Sequence, residues 1–224
     1  MQSLGPDTSI HTPGPHAVDT PLLQEEQGRA NLYGLLARLL LAPPDDALLD
    51  SLASADPIVS ADSEQPLDRA WDQLSLAARL IPFEVVREEF SDLFVSTSIP
   101  RINPYGSLYM AGFLHEKPLA ALRTDLAQLG LARRSGVPET EDHLGALCET
   151  MRRMIMGGQG VARQPVERQH EFFEMHIAPW SAICLAHLRQ ADGARFYPRL
   201  ADLAGAFFDL ERAAFDVAED FAGD

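Results

Sequence analysis

Glu167 and His170 stand at the Glu-x-x-His spacing that lays two metal ligands on one helical face, as in carboxylate-bridged di-iron bundles. Such a centre needs a second Glu-x-x-His and two more inward glutamates, and no second copy occurs in the 224 residues. The run His170, Glu171, Glu174 and His176 also fails as a zincin, because its second histidine lies six positions on rather than four. Glu167, Glu171 and Glu174 therefore read as a solvated face, and no metal is expected. A phosphate loop is excluded in the same way. There is no Gly-x-x-x-x-Gly-Lys-Ser/Thr, Lys117 is the only lysine, and Gly157, Gly158 and Gly160 follow no strand. Asp142 beside His143 has the makings of a general-base pair, yet the sequence identifies neither a nucleophile nor an activated water to go with it. Its plainer reading is a cap for the helix that begins near Leu144. Cys148 and Cys184 stand singly in apolar segments and read as core residues in a reducing compartment. What remains is suited to binding. Tyr105, Ser107 and Tyr109 form one group, Glu139, Glu141, Asp142 and His143 a second, and His176 with Trp180 a third beside a proline.

Helices must position these groups. Leu32, Leu35, Leu36, Leu39 and Leu40 recur on one helical face, which Pro43 and Pro44 bring to an end. A short helix over 45–53 follows, then a polar loop through Pro57 and Pro66. Leu67, Trp71, Leu74 and Ala78 mark the next helix, and Pro82 opens one that runs through Val86 and Phe90 to Phe94. Between 96 and 112 the periodicity stops, so the first binding group sits in irregular chain. Helices resume over 117–129, stop at Gly130 and restart after Pro138, with Leu144, Leu147, Cys148, Met151 and Ile155 as the buried stripe. The glycines at 157, 158 and 160 end that helix. Residues 165–191 read as two helical pieces meeting near Pro179, where proline either opens a helix or kinks one. Phe196, Leu200, Leu203, Phe207, Leu210, Ala214, Val217 and Phe221 then alternate spacings of four and three along one long closing helix. No run has the period-two alternation of a strand. The expected fold is all-α, a single-domain bundle of roughly eight helices over 21–224. Residues 1–20, rich in Pro, Gly, Ser and Thr, read as a disordered tail.

Thirty-three acids against eighteen bases give a net charge of -15, which disfavours nucleic acid and anionic lipid and accommodates a cationic partner. No stretch approaches the roughly 18 uninterrupted apolar residues of a membrane span. Residues 1–20 hold no Lys or Arg and no apolar run, so a cytoplasmic location is expected.

The order "EEFSDLF", "PYGSLYM", "ETEDHL", "HIAPW" resembles the TorD/DmsD family of cytoplasmic chaperones for molybdenum enzymes, with nitrate reductase chaperones as more distant kin. The likeness runs from about residue 32 to 208. It implies an all-helical, non-catalytic maturation factor without a cofactor of its own. Such a factor binds the twin-arginine signal peptide or apo form of one oxidoreductase, of formate dehydrogenase or DMSO/TMAO reductase type, and holds it for molybdopterin insertion before export. The family's Glu-Pro-x-Asp-His signature corresponds to Glu139, Thr140, Glu141, Asp142 and His143, with Thr140 in place of proline. The expected charged end of the peptide site is Glu139, Glu141, Asp142 and His143, and the expected apolar wall is Tyr105, Tyr109 and Trp180. Because Asp142 and His143 lie at a helix start rather than in a stripe, replacing both is expected to weaken partner binding and spare the fold. Two rival readings are a metal-dependent oxidoreductase built on Glu167, His170 and Glu174, and a helical adaptor that dimerises through its C-terminal heptads. The chaperone itself is expected as a monomer or homodimer.

Overall fold

The computed structural model describes residues 22–57, 65–95, 100–113, 117–131, 139–158 and 161–222, with side chains as far as 218. The tail read at 1–20 lies outside the described residues, as do Pro138 and Gly160. Among the described residues there are ten α-helices: α1 Gln24–Leu41, α2 Asp46–Ala53, α3 Pro66–Leu80, α4 Phe83–Phe90, α5 Gly106–Ala111, α6 Lys117–Gln128, α7 Leu144–Met156, α8 Val166–His176, α9 Ala178–Arg189 and α10 Tyr197–Ala222. A π-turn over Ser91–Val95 continues α4 directly. Among the described residues there is no strand, and no helix is long and apolar enough to cross a membrane.

Local chemistry explains most boundaries. Ala42, which precedes Pro43, is extended at φ -152° and ψ 154°, as the proline ring demands of its neighbour, so α1 stops at Leu41. Asp45 then accepts the Leu48 amide at 2.7 Å and starts α2. Gly130 takes the left-handed φ of 73° after α6, and the Leu131 amide returns to the Leu126 carbonyl at 2.8 Å. Pro179 sits in the first turn of α9, so it opens a helix rather than bending one. Cys148 and Cys184 are free and buried, and burial pushes the Cys184 thiol up to about 12.

Packing is organised by three pairings, α1 against α7, α10 against α3 and α10 against α9. Gly145 lets the first pairing close, since a Cβ there would stand 2.8 Å from Leu41 Cγ and 3.3 Å from the Ala37 carbonyl oxygen. The expected stripe of the closing helix holds for Phe196, just before α10, and for Leu200, Leu203 and Phe207 within it, all buried. It fails beyond them: Leu210, Ala214 and Val217 are exposed, while Ala204, Phe208, Glu211 and Phe215 turn inward. A strict seven-residue repeat drifts by about 20° per heptad on a straight helix, so the seam passes to the next line of residues. Glu211 in that line is 2% exposed and takes Arg29 at 2.6 and 2.8 Å and the Tyr33 hydroxyl at 3.0 Å. Arg29 also reaches Gln169 at 3.0 Å, which ties α1, α8 and α10 together.

The start of α10 is capped from a distance. Glu89 on α4 accepts the amides of Arg195 at 2.9 Å, Phe196 at 3.0 Å and Tyr197 at 2.7 Å, placing a buried carboxylate at the positive end of the longest helix. Glu89→Gln keeps one acceptor and loses the charge. It should lower the unfolding free energy by about 1–2 kcal/mol, seen as a lower urea midpoint with an unchanged m-value.

Candidate peptide-binding cleft

Residues 100–105 cross the bundle and are fastened on both sides. The Ile102 amide donates to the Leu93 carbonyl at 3.0 Å, Leu144 to Pro104 at 2.8 Å, and Gly106 to Asp142 at 2.9 Å. The last two bonds form an isolated antiparallel bridge between Tyr105 and His143, so two of the sequence groups meet through backbone. Asp142 is 3% exposed. One of its oxygens accepts both the Ser107 amide at 2.8 Å and the Ser107 hydroxyl at 2.6 Å, and the other accepts the Thr140 hydroxyl. Asp142 thus holds the first turn of α5, a different helix from the one its sequence position suggested. His143 caps α7 instead, its Nδ1 accepting the Gly145 amide at 3.1 Å. Where the family signature has proline, Thr140 orders the same turn by hydrogen bonding. The helix α5 itself corrects the expectation of irregular chain over 96–112. It has six residues and no periodicity of its own to read, and its start is set by Asp142 from another element.

Trp180 is 1% exposed and donates its Nε1 to the His176 carbonyl at 2.7 Å. A Cβ on Gly106 would come within 3.0 Å of that nitrogen, so the glycine permits α5 to lie on α9. Tyr109 stacks on Trp180 at 5.4 Å, with its hydroxyl 3.1 Å from His187 Nδ1. His176 Nε2 meets Asp125 at 2.8 Å, which joins α8 to α6. Glu141 receives Arg123 at 3.1 and 3.0 Å. These residues frame the site from behind and beside it.

The opening is a cleft of about 280 Å³ between the end of α1, the π-turn, the 100–105 segment and the start of α7. Of the nine side chains singled out, Tyr105, Glu139 and His143 line it. Ser107, Asp142 and Trp180 are buried, and Tyr109, Glu141 and His176 make their contacts on other faces of the frame. Leu40, Leu41, Phe90 and Phe94 supply the apolar wall, with Asn103 as a further polar group. Sequence reasoning placed Phe90 and Phe94 in a helix stripe. The π-turn brings Phe94 and the exposed Val95 to the rim, and no periodicity signals a π-turn.

Burial lowers the His143 imidazole to about 4, against a smaller opposing pull from Asp142. The unfolded chain therefore takes up its proton near pH 6.5 and the folded chain only near 4, so stability falls as pH drops through that window. The loss should reach about 2–3 kcal/mol by pH 4. His143→Asn preserves an N-cap acceptor and cannot titrate, so its stability against pH from 7 to 4 should be flatter than that of the unsubstituted protein.

Glu174 bonds Arg212 at 3.4 Å and His170 stacks on Phe215 at 4.9 Å. Among the described residues no three His, Cys, Asp or Glu side chains group as metal ligands. Fold and cleft together define an all-helical protein with a cleft lined by Glu139, His143 and Tyr105 and by an apolar wall. Residues 60–186 match the family model described as nitrate reductase delta subunit. The chaperone protein TorD of Vibrio parahaemolyticus serotype O3:K6 is 26% identical over 192 residues, which cover 83% of this chain and 80% of the relative. TorD of Shewanella piezotolerans is 26% identical over 203 residues, covering 83% and 92%. A solved Archaeoglobus fulgidus structure described as a redox enzyme maturation protein superposes with a TM-score of 0.52 at 16% identity, over 91% of this chain and 98% of that one, which is a likeness of fold. The chain belongs to the nitrate reductase delta subunit family and, with the relatives it matches, to the TorD family.

Proposed function

We propose that the protein is a dedicated chaperone that binds the twin-arginine signal peptide of one apo-molybdoenzyme in the 280 Å³ cleft and retains that client until its cofactor is inserted. The observation that carries this reading is the cleft's composition. Glu139, Tyr105 and His143 line it together with Leu40, Leu41, Phe90 and Phe94. A carboxylate suits a guanidinium and the aromatic and leucine wall suits the apolar stretch behind it. The net charge of -15 adds attraction at long range. Asp142, Ser107 and Trp180 act here by positioning, and Glu141, Tyr109 and His176 hold the flanking helices.

The reading is tested by fluorescence anisotropy with a labelled peptide bearing two consecutive arginines and a leucine-rich tail. Glu139→Gln should weaken binding about tenfold at low salt and leave the melting temperature within about 2 °C. Equal affinity for both proteins would place the peptide elsewhere. Recovery of a molybdoenzyme catalytic subunit from native extract, lost with Glu139→Gln, would name the client.

A further inference from the structure

On the second half of α10, Leu210 is 52% and Val217 54% exposed, with Ala213 and Ala214 exposed between them and Ala206 half-buried below. Positions 206, 210, 213 and 217 follow the four-three-four spacing of a helix-docking seam and cover about 16 Å of helix. At the lower end of this seam a notch of about 390 Å³ separates α10 from the start of α3. Pro66, Leu67, Ala206 and Leu210 wall it together with the buried Asp68, and the exposed Asp209 stands at its edge. Two turns beyond Asp209 on the same flank, Asp216 is exposed. Among the described residues no Lys, Arg or His lines the notch, and Arg212, which stands between Asp209 and Asp216 on the same flank, is engaged by Glu174 at 3.4 Å. The face shares no lining residue with the Glu139 cleft.

We propose that this face docks a cationic amphipathic helix of a partner protein. The partner's apolar residues, three and four apart, lie along Ala206 to Val217, and one large side chain enters the notch. Its lysines or arginines meet Asp209 and Asp216. An apolar seam edged on one side by carboxylates selects both amphipathicity and positive charge. A second copy of the chain is the poorer occupant. Two-fold pairing along the seam sets the Asp209 and Asp216 flank of one copy against that of the other, between bodies that each carry -15.

The test uses the full chain and a labelled 21-residue helical peptide with leucine at heptad core positions and lysine elsewhere, followed by anisotropy at low and high salt. The protein should bind it, at least tenfold more weakly at 0.5 M salt. The double variant Leu210→Ser, Val217→Ser should lose at least tenfold in affinity with unchanged circular dichroism and melting, since both side chains are exposed. Asp209→Asn with Asp216→Asn should lose severalfold and flatten the salt dependence. Absence of binding, equal binding of a glutamate-for-lysine peptide, or loss on Glu139→Gln rather than on the seam variant would overturn the proposal. So would a dimer in sedimentation velocity that dissociates on Leu210→Ser, which would give the face to a second copy.

Discussion

Asp142→Ala should lower the unfolding free energy by about 3–5 kcal/mol and the melting temperature by about 10 °C, although the residue lies at a helix start rather than within an apolar stripe. The change strands three donors at once: the Ser107 amide, the Ser107 hydroxyl and the Thr140 hydroxyl. It also empties a site that is 3% exposed. Each hydrogen bond to a charged acceptor contributes about 1.5–3 kcal/mol, and losses within one network do not add in full. Asp142→Asn should cost less, about 1–3 kcal/mol, because one oxygen still accepts from Ser107 while the amide group faces the Thr140 hydroxyl. Urea unfolding of the two variants measures both values. A loss below about 1 kcal/mol for the alanine variant would mean that the carboxylate is solvated and Ser107 is held by other means. Because α5 and the 100–105 segment shape the cleft from Asp142 outward, any loss of client affinity in these variants should scale with the loss of stability. For Glu139→Gln the two should separate.

The second large effect is a contrast between two leucines in one sequence pattern. Leu203→Ala removes a side chain with 0% exposure and should cost about 2–5 kcal/mol, transfer and cavity together. Leu210→Ala, seven residues on at the equivalent heptad position, removes a side chain that is 52% exposed and should stay within about 0.5 kcal/mol. Thermal melts of the pair at one pH decide the matter. Equal losses would restore an uninterrupted seam along α10 and place Glu211 and Arg29 at the surface.

The buried carboxylates show where sequence reading reaches its limit. Glu89 sits in line with Val86, Phe90 and Leu93, and Glu211 with Phe207, Phe208 and Phe215, so each is an acid within an apolar face. That placement signals a buried partner without naming it. In the three-dimensional structure Glu89 caps α10 from α4, Glu211 closes on Arg29 and Tyr33 of α1, and Asp142 fixes α5 from the turn before α7. The motif order "EEFSDLF", "PYGSLYM", "ETEDHL", "HIAPW" is thereby explained in large part as joints between helices. Glu89 belongs to the first, Gly106 and Ser107 to the second, Thr140 and Asp142 to the third, and Trp180 to the fourth.

By itself the sequence determined that the fold is all-α, where α1 and α7 bury their faces, how Pro43 and Gly130 punctuate the helices, and which family the motifs resemble. Those features follow from a 3.6-residue period and from backbone preferences that act within a few residues. Tertiary structure alone decided that Tyr105, Glu139 and His143 share a cleft while Asp142 and Trp180 stand behind it, that six residues after Tyr105 form α5, and that α10 turns Leu210 and Val217 outward. The partner of a buried carboxylate, and the side of a helix that meets solvent, depend on which element packs against it, and local periodicity carries no record of that neighbour.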